Sequence, residues 1–293
     1  ASADEWARLS QAYAPDRIVA LEHHTVPENP ASNALQIAMA FQGGAHIHIL
    51  SHSRGGLVGD LICRHPFENR DLELFFSNPQ YRYKKNAEAA GGAETKSVLE
   101  ALVALNERLS HQPLQVDRFV RVAAPVAGTL LASDRLNSYL NVILSVLGHV
   151  PLPGANLLGY VEAIASAIIS TGLNAKQLPG LEAMRPQRQQ GFVPFLNCAE
   201  PRGDELAVIA GNVSGGRFFD RIKDFFSNLY FLEPKDYVVE SASMFSGVPR
   251  EQAIGFYAQA TKANHFSYFS EPKTRTLMVN VLADNNRQNF QPL

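Results

Sequence analysis

Only two cysteines, Cys63 and Cys198, occur in 293 residues, too few for a disulfide framework. A single bridge between them stays open, but the reading adopted is two buried thiols in a reducing, cytoplasmic compartment. An excess of charge of either sign is also missing. Lys and Arg number 26 and Asp and Glu 28, for a net charge of −2. Nucleic acid and anionic membrane surfaces are therefore not expected as partners. Long apolar runs are missing too. The longest uncharged stretch, Leu136 to Val161, is broken by Gly148, Pro151, Pro153, Gly154 and Asn156, so no transmembrane segment is expected. The opening stretch, Ala1 to Arg17, is polar and acidic early, which does not read as a secretory signal. There is no internal repeat, no low-complexity tract, and no Cys or His cluster with zinc-site spacing.

What is present is a regular alternation. Arg17-Ile-Val-Ala-Leu21 reads as a buried strand and Asn33 to Phe41 as a helix. His46 to Leu50 is a strand, Gly55 to Arg64 a helix, and Glu94 to Ser110 an amphipathic helix. Strands follow at Arg118–Ala124, Glu205–Ala210 and Phe256–Thr261, with a closing helix at Lys273–Ala283. Asp4 to Tyr13 and Phe218 to Phe231 read as further helices. Strands alternating with helices predict an α/β domain with a mainly parallel sheet covered on both faces. With 46% hydrophobic residues, one large domain spanning 1–293 fits the length.

The chemistry centres on Ser51-His52-Ser53-Arg54-Gly55. A serine hydroxyl is a weak nucleophile until a base accepts its proton and the backbone presents it openly. A sharp strand-to-helix turn with the serine at its tip does the second job. Small residues must flank it, and here they are Ser51 and Gly55, with Gly56 adding room. The following helix turns free N–H groups and the positive end of its dipole toward a developing oxyanion. The backbone N–H of Arg54 is the first donor expected. His52 is too close in sequence to serve as base and is expected to pack beside the turn.

Turns of this kind carry their acid and base later, in the order Ser, Asp or Glu, His. Of nine histidines only His265 lies beyond His149, in Lys262-Ala-Asn-His-Phe266. The acid should follow a late strand. Asp204 precedes its strand, and Asp220 and Asp224 fall in an aromatic helix. Asp236, in Glu233-Pro-Lys-Asp-Tyr-Val-Val-Glu240, is the choice, with Glu233 and Glu240 as alternatives. Its role would be to hold the imidazole tautomer and stabilise the imidazolium.

Three segments resemble bacterial lipase-like α/β-hydrolases, over most of the chain. His48-Ile-Leu-Ser-His-Ser-Arg-Gly-Gly-Leu57 looks like their nucleophile elbow. Ala123-Ala-Pro-Val-Ala-Gly-Thr129 resembles their post-strand Thr-Pro-x-x-Gly-Thr segment, and Lys235-Asp-Tyr-Val-Val239 their Asn-Asp-Gly-Val-Val acid loop. The resemblance implies the α/β-hydrolase fold, with Ser53, Asp236 and His265 as triad. It also implies a domain type found within larger bacterial proteins, some beside caspase-like modules. Ser51 stands where the family has Gly, and Lys235 where it has Asn. The family's His-Gly pair, source of the second oxyanion N–H, is nowhere in this sequence. That second donor, with at least one more strand, is expected upstream of Ala1, in cis or on a separate chain.

The apolar middle of the chain, about 130–190, sits where such hydrolases insert a helical lid or cap. Its runs at Leu140–Leu147 and Ile164–Ile169 suit an acyl chain. The expectation is a serine hydrolase of acyl esters, acting on lipid-like or ester substrates, with no cofactor and no metal. His46 and His48 share a strand face, and His23 and His24 end the strand expected beside it. Packed or edge-exposed histidines are the reading there. A binding or regulatory module built on the same fold is the alternative function.

Overall fold

The computed structural model describes residues 3–21, 28–81, 97–129, 179–186, 189–211, 241–258 and 268–293. Its centre is a mostly parallel five-stranded sheet. The strands are β1 (Ala45–His52), β2 (Leu114–Val122), β3 (Arg202–Gly211), β4 (Arg250–Ala258) and β5 (Gln291–Pro292). They lie in that order across the sheet. β1 to β4 run parallel, and only β5 is antiparallel, on β4. Parallel neighbours need a long crossover. Between β1 and β2 it is built by α3 (Gly55–Arg64), α4 (Asn69–Phe76) and α5 (Val98–His111).

Among the described residues two α-helices precede the sheet, α1 (Ala3–Ala12) and α2 (Pro30–Ala40). Asn29 caps α2 by accepting from Ser32 N at 2.9 Å, with Pro30 in the first turn, where a missing N–H costs nothing. Ser97 and Glu100 close a reciprocal capping box on α5. Later come the short α6 (Pro179–Glu182), α7 (Phe192–Asn197) and α8 (Ser241–Met244), and then α9 (Pro272–Asp284), whose N-cap is Glu271.

Side chains of β2 alternate between two covered faces. Phe119 packs on Gly59 of α3, and Arg121, two residues on, pairs with Asp60 of the same helix. Arg118 points the other way and donates to Leu282 O on α9 at 2.8 Å. α1 lies on α9, tied by Arg8 to Asn280 at 2.7 Å and by Glu5 to Arg275 at 2.6 Å. On the α3 side, Phe67, Phe75, Phe76, Phe192 and Phe195 form an edge-to-face aromatic cluster. The Arg64 guanidinium lies 3.8 Å over the Phe195 ring.

Several expectations need correction. Arg17–Leu21 is not a strand. Pro15–Arg17 forms one turn of 3-10 helix, and Ile18 to Leu21 are exposed, Val19 to 77%. An apolar run becomes a strand only when a sheet edge pairs with it, and this one pairs with no strand among the described residues. The last parallel strand begins at Arg250 rather than Phe256. Its charged start, Arg250-Glu-Gln, hides a strand from a reading based on apolar runs. The thiols differ: Cys63 is buried, Cys198 exposed, and both are free. The segments of the expected lid at 130–178 and of the helix at Phe218–Phe231 lie outside the described residues. No helix among those residues is long and apolar enough to cross a membrane.

Candidate functional site

Ser53 stands between the end of β1 and the start of α3 with φ of 53°. That left-handed conformation is rare for a residue with a Cβ and persists only where the surroundings over-determine it. Three contacts do so. The Ser53 N–H donates to Val122 O at 2.9 Å, which fixes the turn to the end of β2. Gly56 N–H donates back to Ser53 O at 2.9 Å, opening the helix. A Cβ on Gly56 would lie 2.3 Å from Ala124 Cβ, so only glycine lets α3 approach the loop after β2 this closely. That loop is strained in the same way: Ala123 has φ of 52° and its N–H donates to Ile209 O at 3.0 Å.

The neighbours of Ser53 are anchored in different directions. Arg54 is buried, and its guanidinium donates to Asn33 Oδ1 at 2.5 Å and to Glu28 O at 3.1 Å. Asn33 in turn donates to the Glu28 carboxylate. The side chain of Arg54 is thus spent on α2 and the residue before its cap, while its carbonyl accepts from Leu57 N–H at 3.0 Å in the first turn of α3. His52 packs its ring on Phe269 at 5.5 Å, edge to face, and nearer the core faces Tyr268 at 6.4 Å. This agrees with the expectation that His52 packs beside the turn. The Ser51 hydroxyl is buried and has no hydrogen-bond partner among the described residues.

Parallel pairing sets the C-terminal ends of β1 to β4 at one end of the sheet. Ser53 follows β1, and Ala123–Thr129 follows β2. Asp236 belongs to 212–240, the segment after β3, and His265 to 259–267, the segment after β4. Asp236, with Glu233, Glu240, Asp220 and Asp224, and His265 all lie outside the described residues. The chain on the far side of His265 is described. Tyr268 is fully buried against Gly211, the last residue of β3, and its carbonyl accepts from Thr274 Oγ1. Tyr268 and Phe269 thus rest beside His52, next to Ser53. Asp204 is at the other end of β3, where Arg250 Nε meets both its carboxylate oxygens at 2.9 Å.

A group that sequence reasoning missed lies beneath the turn. Asp60 of α3 is fully buried and binds two arginines, Arg121 at 2.6 Å and Arg250 at 2.9 Å. Arg121 also donates to Met244 O at 3.2 Å and to Ser246 O. Burial pulls the Arg121 guanidinium below its ordinary pKa, while Asp60 opposes that shift. Removing one partner from such a pair costs about 3–5 kcal/mol. Its only signal in the sequence was an arginine between the apolar Val120 and Val122 of β2, which does not name its partner. The loop after β2 is fastened by Ser243, whose hydroxyl donates to Gly128 O at 2.6 Å and accepts from Ala127 N at 3.1 Å.

His46 and His48 are not brought together as ligands. His46 meets Asp117 at 3.0 Å, and His48 Nδ1 meets the Tyr13 hydroxyl. No group of three or more potential metal ligands converges among the described residues. An open groove lined by Gln115, Asp117, Arg118, Gly203, Asp204 and Glu205 lies at the opposite end of the sheet from Ser53.

Among solved structures, the chain is similar to lipase 1 from Pelosinus fermentans, at 12% identity and a TM-score of 0.43, covering 82% of this chain and 72% of that one. It is also similar to the Staphylococcus hyicus lipase, at 13% identity and a TM-score of 0.39, covering 84% and 69%. No curated protein matches the chain. A family model described as Domain of unknown function (DUF7379) matches residues 2–76 and 91–283, and the chain belongs to that family.

Proposed function

We propose that this protein is a serine hydrolase of acyl esters, built on the α/β-hydrolase fold with a helical cap at about 130–190. The observation that carries the reading is the left-handed Ser53, held at the junction of a parallel strand and a helix. Backbone strain at a serine in this position presents Oγ clear of its own strand, the arrangement that an attacking hydroxyl needs. In the proposed reaction His265 accepts the Ser53 proton as Oγ attacks the ester carbonyl. The Arg54 N–H binds the oxyanion, together with a second donor. His265 then returns the proton to the departing alcohol, and water releases the acyl group from Ser53. Asp236 orients His265 throughout.

The test is covalent labelling by a fluorophosphonate, read together with hydrolysis of short-chain nitrophenyl esters. Wild type is expected to label at Ser53. Ser53→Ala is expected to lose labelling and on the order of 10³-fold or more of the rate. Undiminished turnover by a folded Ser53→Ala variant would refute the assignment. One observation favours the alternative of a hydrolase-fold binding or regulatory module. Among the described residues no strand pairs with the free side of β1, where a second oxyanion donor would be carried. A chain that neither labels nor hydrolyses any ester supports that alternative.

A further inference from the structure

We propose that Arg121, through its buried pair with Asp60, is a positioning residue for Ser53. The inference rests on the reading of Ser53 as nucleophile. It is carried by where the guanidinium and its stem lie. Arg121 is the β2 residue in register with Ser51, and its neighbour Val122 accepts the Ser53 N–H. Its stem runs under the first turn of α3: a Cβ on Gly56 would meet Arg121 Cγ and Cδ at 3.1 Å. Its head grips α3 again at Asp60, one turn further along, and takes the carbonyls of Met244 and Ser246. Gly247, with φ of 104°, closes over the pair, since a Cβ there would lie 2.4 Å from Arg121 Nη1 and 2.5 Å from Asp60 Oδ2.

One side chain thus fixes α3 at two heights against β2 and against the loop that enters β4. The helix can neither slide along its axis nor rotate without breaking a buried ion pair. Those are the two motions that would move Ser53 Oγ and the Arg54 N–H relative to a bound ester. An apolar pair of similar volume would fill the same space without fixing that register, and buried ion pairs are retained in some proteins for specificity of this kind. Misplacement of a reacting group by about 1 Å costs on the order of 100-fold in rate.

The experiment follows labelling of the full chain by a fluorophosphonate, separating the fraction that labels from the rate constant of that fraction. Arg121→Lys keeps a charge for Asp60 but loses the planar fork that also reaches both carbonyls. It is expected to fold, and to label roughly 10–100-fold more slowly at every pH. Arg121→Met combined with Asp60→Asn removes one charge of each sign and leaves Arg250 an amide oxygen and Asp204. It is expected to regain thermal stability over Arg121→Met alone without regaining the rate. A purely structural role predicts otherwise: less protein labels, but the folded fraction labels at the wild-type rate. That result in Arg121→Lys, or recovery of rate along with stability in the double variant, overturns the inference. Should the double variant not fold, Arg121→Lys decides alone. Wild type that never labels overturns this inference and the Ser53 reading together. Labelling wild type with normally reactive variants overturns only the inference.

Discussion

At the scale of single residues, the turn at Ser53 depends on what its neighbours lack. Gly56 has no Cβ because Ala124 already occupies the space, and Ala124 can sit there because it is no larger. Gly56→Ala is therefore expected to destabilise the fold by about 1–3 kcal/mol, the range for overpacking a filled site. Gly43→Ala is the control. Nothing lies within 4 Å of a Cβ at that position, so its effect should stay within about 0.5 kcal/mol. Denaturant titration of both variants checks the contrast, and equal midpoints would show that α3 can shift away from the loop. This constraint was partly legible in the sequence. Gly55 and Gly56 after Ser53 announce close packing. The partner surface does not show itself, because Ala123 and Ala124 read only as the end of a strand. Arg121 and Asp60 were illegible for a related reason: a charged residue in an apolar element gives no hint of which distant carboxylate or carbonyl neutralises it.

At the scale of elements, two helices were found nearly to the residue, whereas α2 and α5 begin at Pro30 and Val98 against an expected Asn33 and Glu94. Gly55–Arg64 has the bounds read from its apolar face, and α9 runs from Pro272 to Asp284 against an expected Lys273–Ala283. Strands did less well, since a strand is completed by its neighbour. Val19 carries the right residue type and remains 77% exposed, whereas Arg250, a charged residue with a buried side chain, opens a real strand. The docking of α1 adds a titratable contact. The Tyr13 hydroxyl donates to Leu282 O at 2.6 Å and meets His48 Nδ1, with Arg118 alongside. Burial, then the Arg118 charge, hold His48 below its ordinary value of 6.5, and Asp117 and Glu205 act against them. The sign follows from linkage. Above that ordinary value His48 is neutral in both states, and its contribution to stability is complete. Below it the unfolded chain takes up a proton that the folded chain refuses, so stability falls as pH drops toward the lowered folded value. The thermal midpoint should thus decline on acidification from about pH 7 to 5, and His48→Gln should flatten the decline. His65 is shifted in the same direction by burial and will leave part of the slope in place. An identical slope in His48→Gln would remove His48 from the account.

At the scale of the whole molecule, the charged residues of the sheet form two groups that meet at Asp204. Asp60, Arg121, Arg250 and Asp204 knit α3 to the strands, and Asp117, Arg118 and Glu205 join Asp204 in lining the groove at the end of the sheet opposite Ser53. Ser53 and the segments that contain Asp236 and His265 follow the opposite ends of the strands. Chain order alone put Asp204 aside as acid because it precedes its strand. In the structure Asp204 lies inside β3, which begins at Arg202 rather than Glu205, and Arg250 occupies both of its oxygens. The two aspartates should therefore fail in different ways when replaced. Asp204→Ala leaves Arg250 with one carboxylate fewer in a buried site and should lower stability by about 3–5 kcal/mol. The folded fraction should still label with fluorophosphonate at the wild-type rate. Asp236→Asn should leave the thermal midpoint close to wild type and slow labelling by as much as about 10⁴-fold, the effect of giving a catalytic imidazole the wrong tautomer. Glu233→Gln and Glu240→Gln, made in parallel, should label normally. If Asp236→Asn labels at full rate while one of those glutamates does not, the acid is that glutamate. If none of the three slows labelling, the base at Ser53 is held without a carboxylate from this segment.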